Sequence, residues 1–500
     1  MSQPLTSITI LGGGTAGWLA AAILSQEIGE QCHIHLIESP DIGTIGLGES
    51  TVPPFVGLIK SLGLDETQFM QQTDATYKLG IEFVDWRVKH SRFFHPFGST
   101  GAKILRQDFY PCWLKAQEHG PVAPLEAFSP CQVMAQHARF FPPQLAQHTP
   151  IGGANYALHV DAERLVTALK QRCANRPFSA QAARVVGARQ DDSGFVQALL
   201  LEDGSEHRAD FFIDCSGFHS LLFGQILKVP LCDWSRFLPC NRALALRAPA
   251  QTRPHLYTQA KASLAGWRWA IPLRSRTGMG YVYSSDFISD DKALQELCSS
   301  AQLPLDEQQA RVLPFATGHR QVFWQHNCLA LGLAAGFIEP LEATAIHLIT
   351  RGLDFFLRFL PHKQCDPSLA RAYNLRMNKD FAEVRDFVQL HYVKSQRQDS
   401  AFWRHCQSLP ISDSLQERID LFTAQGLMDE RSDDLFRPSS WLAIFEGMGI
   451  RPRHNSPKVA HLAAELLHQE LTKTASAIDT MVKTLPRQEE FWRQDSGAHI

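Results

Sequence analysis

The chain contains no C-x-x-C pair, although it carries eleven cysteines. Their odd number and wide spacing argue against a disulfide framework or a zinc ribbon. They read as buried free thiols of a reducing compartment, and the expected location is the cytoplasm. No run of Lys or Arg is long enough to follow a phosphate backbone, and 48 basic residues nearly balance 51 acidic ones, so nucleic acid is not an expected partner. An H-E-x-x-H helix and a Cys/His cluster are missing as well, and no metal site is expected; His33 and His35 only alternate along one strand. From Met1 to Gln26 there is no charged residue. That stretch lacks the basic start of a signal peptide, and three glycines from Gly12 to Gly14 interrupt it where a spanning helix needs bulk, so no membrane segment is expected. Internal repeats and low-complexity tracts are absent. With 44% hydrophobic and 20% charged residues, what remains is a globular chain able to bury a large core, expected as two intergrown lobes.

The clearest local pattern opens the chain. Ser7 to Leu11 is a short apolar strand, and Ala16 to Ser25 carries Ala, Leu and Ile at helical spacing. Between them lies Gly12-Gly13-Gly14-Thr15-Ala16-Gly17, a G-x-G-x-x-G turn in its required setting. Gly12, Gly14 and Gly17 let backbone approach a pyrophosphate, while Thr15 and Ala16 open a helix whose positive end faces it. A second strand, Cys32 to Ile37, ends at Glu38, 21 residues beyond Gly17, where a carboxylate bonds the ribose of an adenosine and disfavours a 2′-phosphate. A second unit of this kind is not found, so one dinucleotide is expected. Phe211 to Gly217 and Cys328 to Gly336 read as strands running into turns, which suits a two-lobed flavoprotein and equally suits plain core strands.

Three other places carry chemistry. After Gly336 the sequence Phe337-Ile338-Glu339-Pro340-Leu341-Glu342-Ala343-Thr344-Ala345 enters an apolar helix. Its first-turn N–H groups offer a seat for a small anion beside Thr344, and Glu342 becomes a poorly solvated carboxylate, able to act as a base or to stabilise a cation. Favourable charge at a helix start is the plainer reading. In Tyr77 to Trp86, alternation puts Tyr77, Leu79, Ile81 and Phe83 on one face and Lys78, Glu82 and Trp86 on the other, so that Lys78 reads as a solvated strand lysine near Glu82. Trp267-Arg268-Trp269-Ala270-Ile271-Pro272 sets two indoles on one strand face, either as core packing or as the wall of a pocket.

Those residues resemble the flavin-dependent tryptophan halogenases. Trp267 to Pro272 matches that family's W-x-W-x-I-P signature. The Gly-Gly-Gly-Thr-Ala-Gly-Trp opening, the strap-like Gly46-Leu47-Gly48-Glu49-Ser50, Tyr77-Lys78, His95-Pro96-Phe97, Asp214-Cys215-Ser216-Gly217 and Phe337 to Glu342 follow in the family's order. The resemblance implies an α/β, Rossmann-like FAD-binding fold of the flavin-monooxygenase type, with mixed sheets and a helical C-terminal substrate lobe. It implies residues 1–360 as the FAD-binding core with an interleaved substrate-side sheet, and 361–500 as a mainly helical cap. FADH2 from a separate NADH-dependent flavin reductase would react with oxygen to oxidise a halide, chloride or bromide. The hypohalous acid would pass through a tunnel to Lys78, which delivers electrophilic halogen to an aromatic carbon, and Glu342 would stabilise or deprotonate the arenium ion. Gly48, Glu49 and Leu333 would join the glycine turn and Glu38 around FAD. Thr344 and Ala345 would bind halide through backbone N–H groups. His95, Phe97, Trp267 and Trp269 would line the substrate side, the two indoles keeping substrate from the flavin.

The chain also departs from that pattern. The family's Glu-Ser-Thr-Gly is here Glu342-Ala343-Thr344-Ala345, so a hydroxyl is lost at Ala343, and a positive φ at Ala345 would be strained. Leu333 stands where related monooxygenases carry an Asp. Beyond residue 360 helices are expected at Ala370 to Leu390 and Val459 to Thr484, with an exposed connection at Arg451 to Pro457. The tyrosine pair of members acting on free tryptophan has no clear counterpart; Leu435 to Trp441 lies in that part of the chain. The expected substrate is therefore an indole or another electron-rich aromatic rather than free tryptophan, and a homodimer is allowed for. A flavin monooxygenase and a flavin-binding protein without halogenating activity are the alternatives.

Overall fold

The computed structural model describes residues 3–40, 48–303, 311–428 and 433–490. Packing groups the chain into two interleaved units, one made of Met1–Ala75, Val160–Leu246 and Glu307–Arg385, the other of Thr76–His159, Arg247–Asp306 and Asp386–Ile500. Residues 361–500 are thus shared between them.

The first unit is built on a six-stranded sheet in the order Trp324–Gln325, Cys328–Ala330, Phe211–Asp214, Ser7–Leu11, His33–Glu38 and Phe178–Ala182. The last five run parallel, with Ile10 opposite both Ile213 and Leu36. Parallel strands are covered on both faces, which is why Ser7–Leu11 and Phe211–Asp214 are continuous buried runs rather than alternating ones. Both segments read as returning strands are therefore sheet members, each adjacent to the next. The crossover helix Thr15–Glu27 packs against the helices Ala162–Cys173 and Ala345–Arg358, and nine of its residues are buried. A helix so enclosed has no polar face, which explains the uncharged start of the chain.

In the second unit five strands lie in the order Arg276–Tyr283, Gly266–Pro272, Thr258–Ala262, Gly80–Val84 and Arg92–Pro96. Thr76–Lys78 does not belong to that sheet. It pairs antiparallel with Ala157–Asp161, Thr76 opposite His159 and Lys78 opposite Ala157. The chain changes partner at Leu79, whose N–H bonds Leu256 O at 2.6 Å. A single alternation from Tyr77 to Trp86 therefore fails at two points. It is broken at Leu79, and again at Asp85, whose positive φ of 64° resets the side-chain direction. Trp86 is consequently fully buried, its Nε1–H donating to Ala260 O at 3.0 Å.

The expected helix at 370–390 is Pro367–Val393. The one expected from Val459 begins at Ala464, because Ser456 caps a separate short turn, Pro457–Val459. Among the described residues no helix is long and apolar enough to cross a membrane and no group of three metal-ligating side chains forms. All eleven cysteines are free thiols, ten of them buried.

Candidate active site

The glycine turn has the geometry a pyrophosphate needs. Gly12 takes φ +116°, and a Cβ there would sit 2.2 Å from the Cys215 carbonyl oxygen. A Cβ on Gly17 would stand 1.8 Å from Gly12 O, whereas one on Gly14 would meet nothing within 4 Å. The outer two glycines thus allow strand, turn and helix to close together, and the middle one leaves open room at the helix N-terminus. No side chain caps that terminus. The open space, the uncapped N–H groups of Thr15, Ala16 and Gly17, and the helix dipole together fit the diphosphate of FAD.

Glu38 stands beside the same turn, since a Cβ on Gly13 would come 2.2 Å from its Oε2. Its carboxylate accepts from Lys170 Nζ at 3.0 and 3.2 Å and from Trp18 Nε1 at 3.3 Å. Lys170, absent from the sequence reading, is the residue that holds it. Leu333, 40% exposed, lies in the short turn Gly332–Ala334, where Gly332 approaches Ala16 so closely that a Cβ would be 2.8 Å from Ala16 Cβ. Gly48 and Glu49 form the strand Gly48–Ser50, and burial pushes the Glu49 carboxyl up to about 7. Gly46 and Leu47 lie outside the described residues. Asp214 is a structural acid: fully buried, it accepts from the N–H groups of Ser216, Leu222 and Phe223 and from the Ser216 hydroxyl, fixing the turn after its strand.

The Glu342 turn follows in the same unit. Pro340–Glu342 forms one 3-10 turn and the α-helix proper is Ala345–Arg358, so Pro340 opens the short turn and not the helix. Glu342 is 1% exposed and Thr344 2%. The residue with positive φ is Ala343, at 58°, and not Ala345, which is helical. The strain anticipated at Ala345 is therefore found two residues earlier, where it costs on the order of 1 kcal/mol. Thr344 makes no side-chain cap on this helix, which leaves its first-turn N–H groups in the arrangement suited to a small anion.

In the second unit Lys78 is not a solvated strand lysine. It is fully buried, with Nζ 4.8 Å from the centre of the Phe97 ring. Glu82 instead pairs with Arg92 at 2.9 Å and accepts from Gln259 at 2.8 Å. His95 and Phe97 are both buried, their rings 6.4 Å apart, so that Lys78, Phe97 and His95 form one cluster. Phe387 and Phe436, stacked at 3.7 Å, extend it to His95, and Trp441 meets Phe387 edge-on at 4.8 Å. Phe387 was hidden in sequence inside the apolar stripe of its helix; Phe436 and Trp441 fall in the segment 435–441.

Trp267 and Trp269 share a strand face with ring centres 6.0 Å apart. Across the neighbouring strand they oppose Ala262 and Ala260, small residues that leave room for indoles. Trp267 is buried against Trp86, at 6.4 Å, whereas Trp269 keeps partial exposure. Two open cavities of about 440 and 370 Å³ border Arg268, Trp269 and Glu296, and Arg92, Trp113 and Glu446, respectively; neither is lined by Lys78 or His95.

Several buried and half-buried histidines have values lowered toward the neutral form. Burial and its neighbours His207 and His33 hold His35 down at about 4, burial and Arg351 do the same to His347, and burial depresses His207 and His319. Their folded values lie below the unfolded value of about 6.5, so the unfolded chain takes up protons first as pH falls. Stability is then complete above about pH 6.5 and is lost toward pH 4, His347 alone accounting for about 2–3 kcal/mol. Glu49, raised to about 7, and Asp214, Asp354 and Glu446, also raised by burial, oppose this, but the lowered histidines, among them His159 and His255, outnumber them. The urea midpoint should fall steadily from pH 7 to pH 4.5, and a flat or rising midpoint would contradict these assignments.

A glycine turn feeding a parallel sheet marks a Rossmann-like FAD-binding fold of the flavin-monooxygenase type. The tryptophan halogenase family model matches residues 7–464, and the chain belongs to that family. Among curated relatives it is 32% identical to the tryptophan 7-halogenase KtzQ of Kutzneria sp. (strain 744), covering 91% of each chain. Among solved structures it superposes on a flavin-dependent halogenase from Xanthomonas campestris with a TM-score of 0.94 at 39% identity, covering 98% of each chain. BrvH, a flavin-dependent halogenase from Brevundimonas sp. BAL3, gives 0.93 at 36% identity, covering 98% of this chain and 99% of its own. The chain is a flavin-dependent halogenase, an oxidoreductase.

Proposed function

We propose that this enzyme halogenates an indole or similarly electron-rich aromatic, with Lys78 delivering the halogen and Glu342 serving the cationic intermediate. Bound as FADH2, and supplied by a separate NADH-dependent reductase, the flavin provides the electrons with which oxygen is activated to oxidise chloride or bromide. Gly12, Gly14, Thr15, Ala16, Gly17 and Glu38 hold the adenosine diphosphate end; Gly48, Glu49 and Leu333 complete the flavin's surroundings. The first-turn N–H groups at Thr344 and Ala345 hold the halide. The Lys78 ammonium donates hydrogen bonds to hypohalous acid and orients its halogen. The Glu342 carboxylate, out of water, stabilises the arenium ion and takes the proton from its tetrahedral carbon. His95, Phe97, Trp267 and Trp269 bound the substrate side. Residues 361–500 act as the mainly helical cap of the substrate pocket.

The observation that carries this reading is the complete burial of Lys78 against Phe97. An ammonium taken out of water is expensive, and a surface role would not require it. The rings around His95, namely Phe97, Phe387 and Phe436, favour a flat apolar substrate over a zwitterion. In a comparison of indole, neutral 3-substituted indoles and free tryptophan under one reductase, kcat/KM for indole should exceed that for tryptophan by at least about tenfold. Efficient turnover of free tryptophan with none of the simple indoles would overturn the substrate assignment.

A further inference from the structure

His159 is fully buried and lies opposite Thr76 on the strand pair that carries Lys78. Directly paired residues share a face, and so do residues two apart, so Thr76, Lys78 and His159 project to one side. Thr76 Oγ1 donates to the Pro272 carbonyl at 2.7 Å. A hydroxyl has one proton, so the contact between Thr76 Oγ1 and His159 Nδ1 at 3.0 Å is a donation from Nδ1–H. Nε2 then accepts from Thr258 Oγ1 at 2.9 Å. Pro272 is the last residue of the Trp267–Pro272 signature. One imidazole thus ties the Lys78 strand to Thr258 directly, and through Thr76 to the end of the strand that carries both indoles.

We propose that His159 is a positioning residue for Lys78: a neutral imidazole that fixes the lysine strand through Thr76 and Thr258 while offering the amine neither a counterion nor a second cation. The proposal rests on the reading of Lys78 as the halogen-delivering group. Other polar residues would serve less well here. A carboxylate at position 159 would hold the ammonium in an ion pair and compete with hypohalous acid for its protons, and a guanidinium would repel it. The imidazole is kept neutral by burial and by the Lys78 charge itself. An apolar pair would hold two strands together without any need to desolvate an imidazole, so its retention beside the one buried lysine of the strand pair points to function rather than packing.

The test uses the full-length enzyme with FAD, flavin reductase, NADH, bromide and indole. His159→Leu removes both hydrogen bonds, His159→Asn keeps a donor toward Thr76, and Thr258→Val removes the Nε2 partner at nearly constant volume. For His159→Leu the expected result is a fall in kcat and in brominated product per NADH of about 10- to 100-fold, with KM for indole within about twofold of the parent. His159→Asn should recover most of that loss and Thr258→Val should fall between, with FAD affinity unchanged in all three. Parental kcat in His159→Leu would overturn the proposal. So would parallel losses of kcat and thermal midpoint in the Leu and Asn variants alike, because the imidazole would then be packing alone. If His159→Leu fails to fold, Thr258→Val decides, and parental kcat there counts against the proposal. Lys78→Ala is run alongside: undiminished product from it would defeat the role assigned to Lys78, a failure distinct from any result at His159.

Discussion

Lys78→Ala should leave NADH-driven flavin turnover intact and lower brominated indole by on the order of a thousandfold, down to the detection floor. On the proposed reading the effect is large because the buried ammonium is the group that donates hydrogen bonds to the oxidant and orients its halogen. The Phe97 ring lies 4.8 Å from its Nζ, and the Lys78 charge helps keep the nearby His159 neutral. Without the amine, hypohalous acid is neither oriented nor retained, and halogen arrives by diffusion. Folding should not suffer in proportion, since removing a buried charge also removes its desolvation cost. The thermal midpoint and FAD affinity, measured beside product and NADH consumption, separate the two effects. Product at the parental level would mean that halogen transfer needs no protein amine.

Gly17→Ala should weaken FAD binding by about two orders of magnitude, corresponding to about 3 kcal/mol. The new methyl would lie 1.8 Å from the Gly12 carbonyl oxygen, which is backbone and is held in turn by the Gly12 N–H bond to Ile37 O at 2.8 Å. Helix and strand must separate, and the N–H cradle opens. Gly14→Ala provides the contrast. Its methyl meets no protein atom within 4 Å, so the apo protein should keep its thermal midpoint while FAD affinity falls, because the added group occupies ligand space. Fluorescence quenching of FAD on titration measures both, and equal affinities for all three proteins would remove the glycine turn from the cofactor site.

What could be read in advance follows from the range of the interactions involved. The strand–turn–helix unit is local: Gly12, Gly14, Gly17 and Glu38 lie within one short stretch, and their spacing was enough to anticipate the turn and its close packing. The strand at Phe211 and the strand at Cys328 showed as buried runs, yet their order beside Ser7–Leu11 is a long-range fact that periodicity does not contain. Lys78 was misjudged on physical grounds. Alternation assumed one continuous strand, whereas the chain switches partners at Leu79 and reverses its side-chain direction at Asp85. His159 carried no signal, because a lone histidine in an apolar strand looks like core until its partners Thr76 and Thr258 are known. Ala343 and Ala345 read as departures from the family's pattern, and which of them bears the positive φ depends on the short turn that precedes the helix.

The central claim is that oxidised halogen reaches carbon through this protein's own lysine and carboxylate. The most direct measurement is the mass spectrum of indole after incubation with the enzyme, FAD, flavin reductase, NADH and bromide, compared with the same mixture containing Lys78→Ala or Glu342→Gln. The account predicts the bromine isotope doublet on indole from the parent, its disappearance with Lys78→Ala and its strong reduction with Glu342→Gln. An oxygenated indole in place of the brominated one, or equal bromination by all three proteins, would contradict it.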